Sequence, residues 1–194
     1  MIFKLFWILR GLLYKPFFGE YKLPSYIGKP IFISNFKRIF IGKRVRIFPS
    51  ARIEVIDNTS SITLKNNISI GQNFHIVSGD SQNLVIGKNT TISANVFITN
   101  IEHNYQDIDK HILEQSLVSG NTIIEENCFV GYGAVIQAGT ILGKQCIVGS
   151  NAVVRGTFPD YSVIVGAPAK VVKRYDIEKK EWRKTDKKGD FIDE

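Results

Sequence analysis

The chain has 194 residues, 44% of them hydrophobic, and no apolar run long enough to span a bilayer, which excludes a helical membrane-spanning protein and fits one packed domain. Formal charge is +7, but residues 1–52 hold eleven Lys and Arg against the single acid Glu20, so the first quarter carries +10 and the remainder −3. No recognition motif accompanies that charge, so nucleic acid is not the expected partner.

Residues 1–20 open with MIFKLFWILRGLLYKPFFG, large apolar residues interleaved with cations. Lys4, Gly11 and Lys15 fall near one helical face and Arg10 about a quarter-turn away, so an amphipathic helix is expected. Arg10 interrupts any signal-peptide core and no small-residue cleavage site follows, so the expected location is the cytoplasm. Two readings of the helix stay open: an element packed on the domain or on a partner subunit, and a peripheral contact with the inner face of the cytoplasmic membrane.

Residues 21–172 read as one repeat domain. Aliphatic residues recur every six positions, weakly at Ile41, Ile47 and Ile53, at Ile62 and Ile68, at Ile70 and Ile76, and at Ile86, Ile92 and Ile98, with phases that disagree. The stretch at about 101–122, IEHNYQDIDKHILEQSLVSGNT, is polar and irregular and predicts a loop leaving the scaffold, where chemistry is commonly placed. From Ile124 the beat is strict: Ile124, Val130, Ile136, Leu142, Val148, Val154. Four residues after each stand Cys128, Ala134, Thr140, Cys146, Ala152 and Phe158, mostly small. One residue before those stand Asn127, Gly133, Gly139, Gln145, Asn151 and Thr157, most of them types that tolerate left-handed corners. A period of six belongs to neither a helix nor a plain strand. It predicts flat strands joined by tight corners, three per coil of eighteen residues, around stacked aliphatics. Cys128 and Cys146 occupy the small inward slot and read as packing. Residues 173–194 are densely charged and predict a short C-terminal helix with a frayed tail.

The hexads VGYGAV, LGKQCI and VGSNAV resemble the hexapeptide-repeat proteins, and this resemblance implies an all-β fold: a left-handed parallel β-helix with an N-terminal helix, an extruded loop and a short C-terminal helix. The left hand comes with the resemblance and departs from the usual crossover rule. ISANVFITNIEHNYQDID, the strict run and YSVIVGAPAKVVKR, covering about residues 84–174, further resemble the hexapeptide acetyltransferases, and HNYQDIDKHILEQ is most like the O-acetyltransferases of capsule, O-antigen and exopolysaccharide synthesis. His111 stands where many relatives have Pro, and Phe129 where many have Trp, so acceptor preference does not transfer.

The resemblance implies acetyl transfer from acetyl-CoA to a sugar hydroxyl of a surface polysaccharide or its lipid-linked precursor, directly and without an acyl-enzyme. N-acetylation of an amino-sugar nucleotide is the alternative. It places the general base at His103, a residue type of suitable basicity, and the thioester-oxygen donor at the backbone N–H of Tyr132. Glu102, Asp107 or Asp109 is expected to orient the imidazole, the choice among the three staying open. The CoA positions are Ser150 and Arg155 along the coil with Lys170, Lys173 and Arg174 near the phosphates. A homotrimer with the site between neighbouring prisms is expected, with no metal; three histidines converging on zinc would be needed for the carbonic anhydrase variant of the fold, and His75, His103 and His111 are badly distributed for that.

Overall fold

The computed structural model describes residues 2–192; residue 1 and residues 193–194, which end two of the segments read above, lie outside it. Ile2–Tyr14 forms a helix. It is followed by a parallel solenoid whose strands belong to three faces, taken in turn once per coil.

Register shows how the hexad becomes a core. On the first face Tyr21, Ile41, Leu64, Ile86, Ile124, Leu142 and Phe158 stack coil on coil. On the second stand Ile27, Ile47, Ile70, Ile92, Val130, Val148 and Ile164. On the third stand Ile33, Ile53, Ile76, Ile98, Ile136 and Val154. All but Ile33 are buried, and they form one continuous cluster. Because neighbouring coils touch through identical positions, each apolar side chain is covered from above and below, and the stack is a one-dimensional core.

Left-handed residues stand at all three corners of the coil, with Asn35, Ser81, Gly139 and Gly156 between the third face and the first. Asn67, Asn89, Asn127 and Gln145 turn the first face into the second, and Asn73, Asn95, Gly133 and Asn151 the second into the third. The asparagines also bond along the axis: Asn67 Nδ2 donates to Asn89 Oδ1 (3.0 Å) and Asn89 Nδ2 to Asn127 Oδ1 (3.1 Å). Their side chains are short enough to accept a positive φ and polar enough to bridge coils.

The early phase disagreements have a simple cause. Arg52–Val55, Ser61–Leu64, His75–Ser78 and Asn83–Ile86 are four-residue strands, against two-residue strands in the strict run. Each places a second inward residue, such as Ile62 below Leu84, before the corner. The last coil departs the other way. Thr157 is in a strand rather than a corner, Gly156 takes the positive φ, and Phe158 joins the aliphatic stack over Leu142 instead of the small slot.

The charged tail is not a helix. Ser162–Gly166, Ala169–Asp176 and Glu181–Lys184 run antiparallel and extend the second face. The β-branched pair Val171 and Val172 favours a strand, Asp176 Oδ1 accepts the N–H groups of Glu178 and Lys179 to make the turn, and Trp182 packs edge-on against Tyr175 at 5.6 Å. The mixed charges line a twisted ribbon, with no helical face to segregate on.

Candidate active site

The solenoid is interrupted after Phe97–Thr99, at the edge where the third face turns into the first. The segment leaving there is an ordered hairpin rather than an irregular loop. Ile101–His103 pairs antiparallel with Leu117–Ser119, placing His103 opposite Leu117. Gln115 pins its interior: Nε2 donates to the carbonyls of Asp107 (3.1 Å) and Lys110 (3.0 Å), and Oε1 accepts the Asp107 N–H (3.1 Å). His111 caps the turn Ile112–Glu114 through Nδ1, which accepts from Leu113 N–H. At the root, buried Asn100 donates to Ser78 Oγ (3.0 Å) and accepts from Gly79 N–H (2.9 Å), while Thr122 Oγ1 donates to the Thr99 carbonyl (2.9 Å). These bonds fix where the chain departs and where it re-enters.

His103 stands at this root with an exposed side chain, and among the described residues its imidazole has no hydrogen-bond partner. It borders a shallow recess of about 190 Å³ with Glu102, Leu117, Val77, Phe97 and Thr99. Glu102 does not hold the imidazole. Successive strand residues point to opposite sides, and Glu102 Oε2 instead meets Arg155 Nη1 at 3.4 Å, with Oε1 buried and unpartnered. Asp107 pairs with Lys110 and no hydrogen bond joins Asp109 to His103, so among the described residues no carboxylate orients the imidazole.

The remaining predicted residues fall in two groups. Tyr132 and Ser150 lie at the opposite edge of the third face, where the second turns into it, in adjoining coils. The coils touch there because residue 131 is glycine: a Cβ would come within 2.6 Å of Ser150 N. Among the described residues Tyr132 N–H has no hydrogen-bond partner, while its carbonyl accepts from Asn151 N–H (2.8 Å) and its hydroxyl from Asn95 Nδ2. Lys170 pairs with Val165, which abuts Gly149, so Lys170 belongs with Ser150. Lys173 lines a basin of about 700 Å³ with Lys179, Trp182, Arg183 and Lys184. Arg174 is engaged elsewhere, donating to the Gly189 carbonyl (2.9 Å) and stacking over Phe191 at 5.2 Å. Arg155 sits with Glu102 and His103, away from Ser150.

Sequence reasoning missed a polar cluster on the outer side of the third face. Arg52 Nε donates to Glu54 Oε1 (2.6 Å), which also meets His75 Nε2 (2.9 Å), and the His75 ring lies 5.0 Å from Phe97. The Arg52 hydrogen bond, with a smaller contribution from His75, outweighs burial and holds the Glu54 carboxyl below its ordinary range. Register places Glu54 beside Val77 and His75 beside Phe97, so the cluster adjoins the recess. Arg52 and Glu54 are two apart on one strand and carry a weak signal; His75 joins only through register. Cys128 and Cys146 are buried, and the neighbouring Cys146 thiol together with burial pushes Cys128 far up, so Cys128 is no ready nucleophile.

Residues 121–156 match the family model described as Bacterial transferase hexapeptide (six repeats). The chain is 32% identical to WbbJ of Escherichia coli (strain K12), by name a lipopolysaccharide biosynthesis O-acetyl transferase, over 53% of this chain and 56% of that protein. It is 30% identical to an acetyltransferase by name from Mycobacterium tuberculosis (strain ATCC 25618 / H37Rv), over 47% of this chain and 30% of that one. The chain thus spans about half, or less, of the length of these curated relatives. Among solved structures, AntD, an N-acyltransferase from Bacillus cereus in complex with dTDP and 3-hydroxybutyryl-CoA, superposes with a TM-score of 0.74 at 18% identity, over 87% of this chain and 89% of AntD. At that identity the likeness concerns the fold. In its strict hexads, residues 121–156, and in its three-faced solenoid the chain is similar to hexapeptide-repeat proteins of the bacterial transferase type.

Proposed function

We propose that the chain transfers acetyl from acetyl-CoA to a hydroxyl of a bacterial surface glycan or its lipid-linked precursor. The observation that carries this reading is the unpartnered imidazole of His103, exposed beside a recess at the root of an internally pinned hairpin. A histidine with no structural duty, placed where the repeat is broken, is available to a substrate.

The imidazole takes the proton of the acceptor hydroxyl as its oxygen bonds to the thioester carbonyl carbon. The tetrahedral oxyanion needs a fixed donor, and the unpaired N–H of Tyr132 is proposed for it. As the C–S bond breaks, the imidazolium returns the proton to the leaving sulfur. The base supplies about 10²–10⁴ in rate and positioning the rest.

His103 and Tyr132 lie at opposite edges of one face, so a single chain does not assemble this site. We therefore propose a homotrimer in which the His103 edge of one copy meets the Tyr132 edge of the next. The bare apolar side chains on the hairpin, Tyr105, Ile108 and Leu113, suit an arm that reaches a neighbour. CoA would follow the Tyr132 edge past Ser150 to Lys170 and the Lys173 basin. Arg174 is already engaged by the tail and is the least suited of the predicted cations. Arg155 would serve from the His103 side, where it also holds Glu102.

The fold shared with AntD, an N-acyltransferase, favours an amino sugar as the second reading. Thiol release from acetyl-CoA, measured against polysaccharide repeat units and amino-sugar nucleotides in parallel, separates the two. Turnover only with the nucleotides, with acetate on nitrogen, overturns the O-acetyl reading, and no turnover with either class overturns both.

A further inference from the structure

Packing and membrane contact are open alternatives for the N-terminal helix at the level of sequence, but in the structure its faces separate them. Trp7, Arg10, Gly11 and Tyr14 form the inner side. Trp7 packs on Tyr26 (5.7 Å) and Phe48 (5.5 Å), Arg10 Nη1 donates to the Ile27 carbonyl (3.3 Å), and Gly11 admits the Tyr21 hydroxyl, which a Cβ there would displace. The opposite side is bare: Leu5, Phe6, Leu9, Leu12 and Leu13 are between 43% and 72% exposed. A helix of thirteen residues, about 20 Å long, therefore turns a leucine-rich face outward from a docked position.

Beside that face Ile8, Leu12, Leu23 and Tyr26 line an apolar groove of about 460 Å³ with Arg44 and Arg46 on its rim. Arg46 Nη2 is held by Asn67 Oδ1 (3.3 Å), whereas its Nε is buried without a hydrogen-bond partner. An unsatisfied donor beside an apolar groove fits an anionic oxygen attached to an apolar body. The cations at hand number more than two, since residues 1–52 carry +10.

We propose that this face docks the protein on an anionic phospholipid bilayer, the leucines entering the acyl boundary and Arg44, Arg46, Lys4 and Lys15 meeting headgroup phosphates. A second copy of the chain is the lesser fit, because the centres of protein interfaces are depleted in lysine, whereas interfacial helices combine an apolar face with flanking Lys and Arg. No described helix is long and apolar enough to cross a membrane, so the contact is with the surface. It is independent of the acetyl-transfer reading.

The test is co-sedimentation of the full chain with phosphatidylcholine vesicles and with phosphatidylglycerol-containing ones, beside Leu9→Glu/Leu13→Glu and Arg44→Gln/Arg46→Gln variants. The parent should favour the anionic vesicles by about tenfold or more, less so in high salt, and both variants should lose most of that preference at an unchanged thermal midpoint. Equal binding to both vesicles, or leucine variants that sediment like the parent, overturns the proposal. So does a leucine variant that instead changes the oligomeric state by light scattering.

Discussion

Arg155 Nη1 stands 3.4 Å from Glu102 Oε2 and so ties the edge of one coil to the strand that carries His103. The pair is largely exposed on the arginine side and contributes little to global stability, about 0.2–1 kcal/mol. Its effect is local. Arg155→Met should leave the thermal midpoint nearly unchanged, speed hydrogen exchange at 101–103 and 117–119, and lower kcat. A large rise in the KM for acetyl-CoA with kcat unchanged would assign Arg155 to CoA alone.

Gln115 makes three hydrogen bonds inside the hairpin and is nearly buried. Gln115→Leu keeps the volume and removes the bonds, leaving the Asp107 N–H without a partner. The expected cost is about 1–3 kcal/mol, confined to the hairpin. Proteolysis between residues 104 and 114 should quicken while the coils keep their protection, and uniform loss of protection would show that the hairpin and solenoid unfold together.

Asp57 governs part of the acid response. Burial alone would raise it, but N–H and hydroxyl bonds from Ser60 and Thr59 together hold it well below its ordinary 3.8. A carboxylate depressed in the folded state stabilises above its unfolded value, and the contribution is lost as pH falls below about 3.8 towards the folded value. Asp57→Asn should therefore lower stability at neutral pH by about 1 kcal/mol, given solvent screening, and flatten the acid limb of a denaturation series. A parallel shift of the curve at all pH values contradicts this.

The strict run from Ile124 to Val154 was legible because two-residue strands and tight corners put one inward residue at a fixed interval. The early coils obscured it, since their three- and four-residue strands insert Ile39, Ile62 and Leu84 as second inward residues and change the phase. His103 could be singled out, but its neighbours could not. Glu102 and Arg155 are brought together by coil stacking, and His75 joins Glu54 only through register. The tail was misread because mixed charges fit a helix as well as a ribbon, and the cross-strand contact of Tyr175 with Trp182 leaves no periodic mark.

A site shared between copies makes a mixing prediction. Both His103→Ala and Ser150→Trp alone should be slowed by at least about 10², yet mixed assemblies of the two should regain about a quarter of the sites, because one chain then supplies the histidine and its neighbour the open edge. Absence of recovery in verified mixed trimers would place the whole site within one chain.

The central claim is that His103 is the base. Acetyl transfer by His103→Ala, measured under single-turnover conditions with acetyl-CoA affinity determined on the same sample, tests it most directly. The account predicts an unchanged affinity and a transfer rate lowered by about 10²–10⁴; a folded variant that transfers at the parent's rate contradicts it.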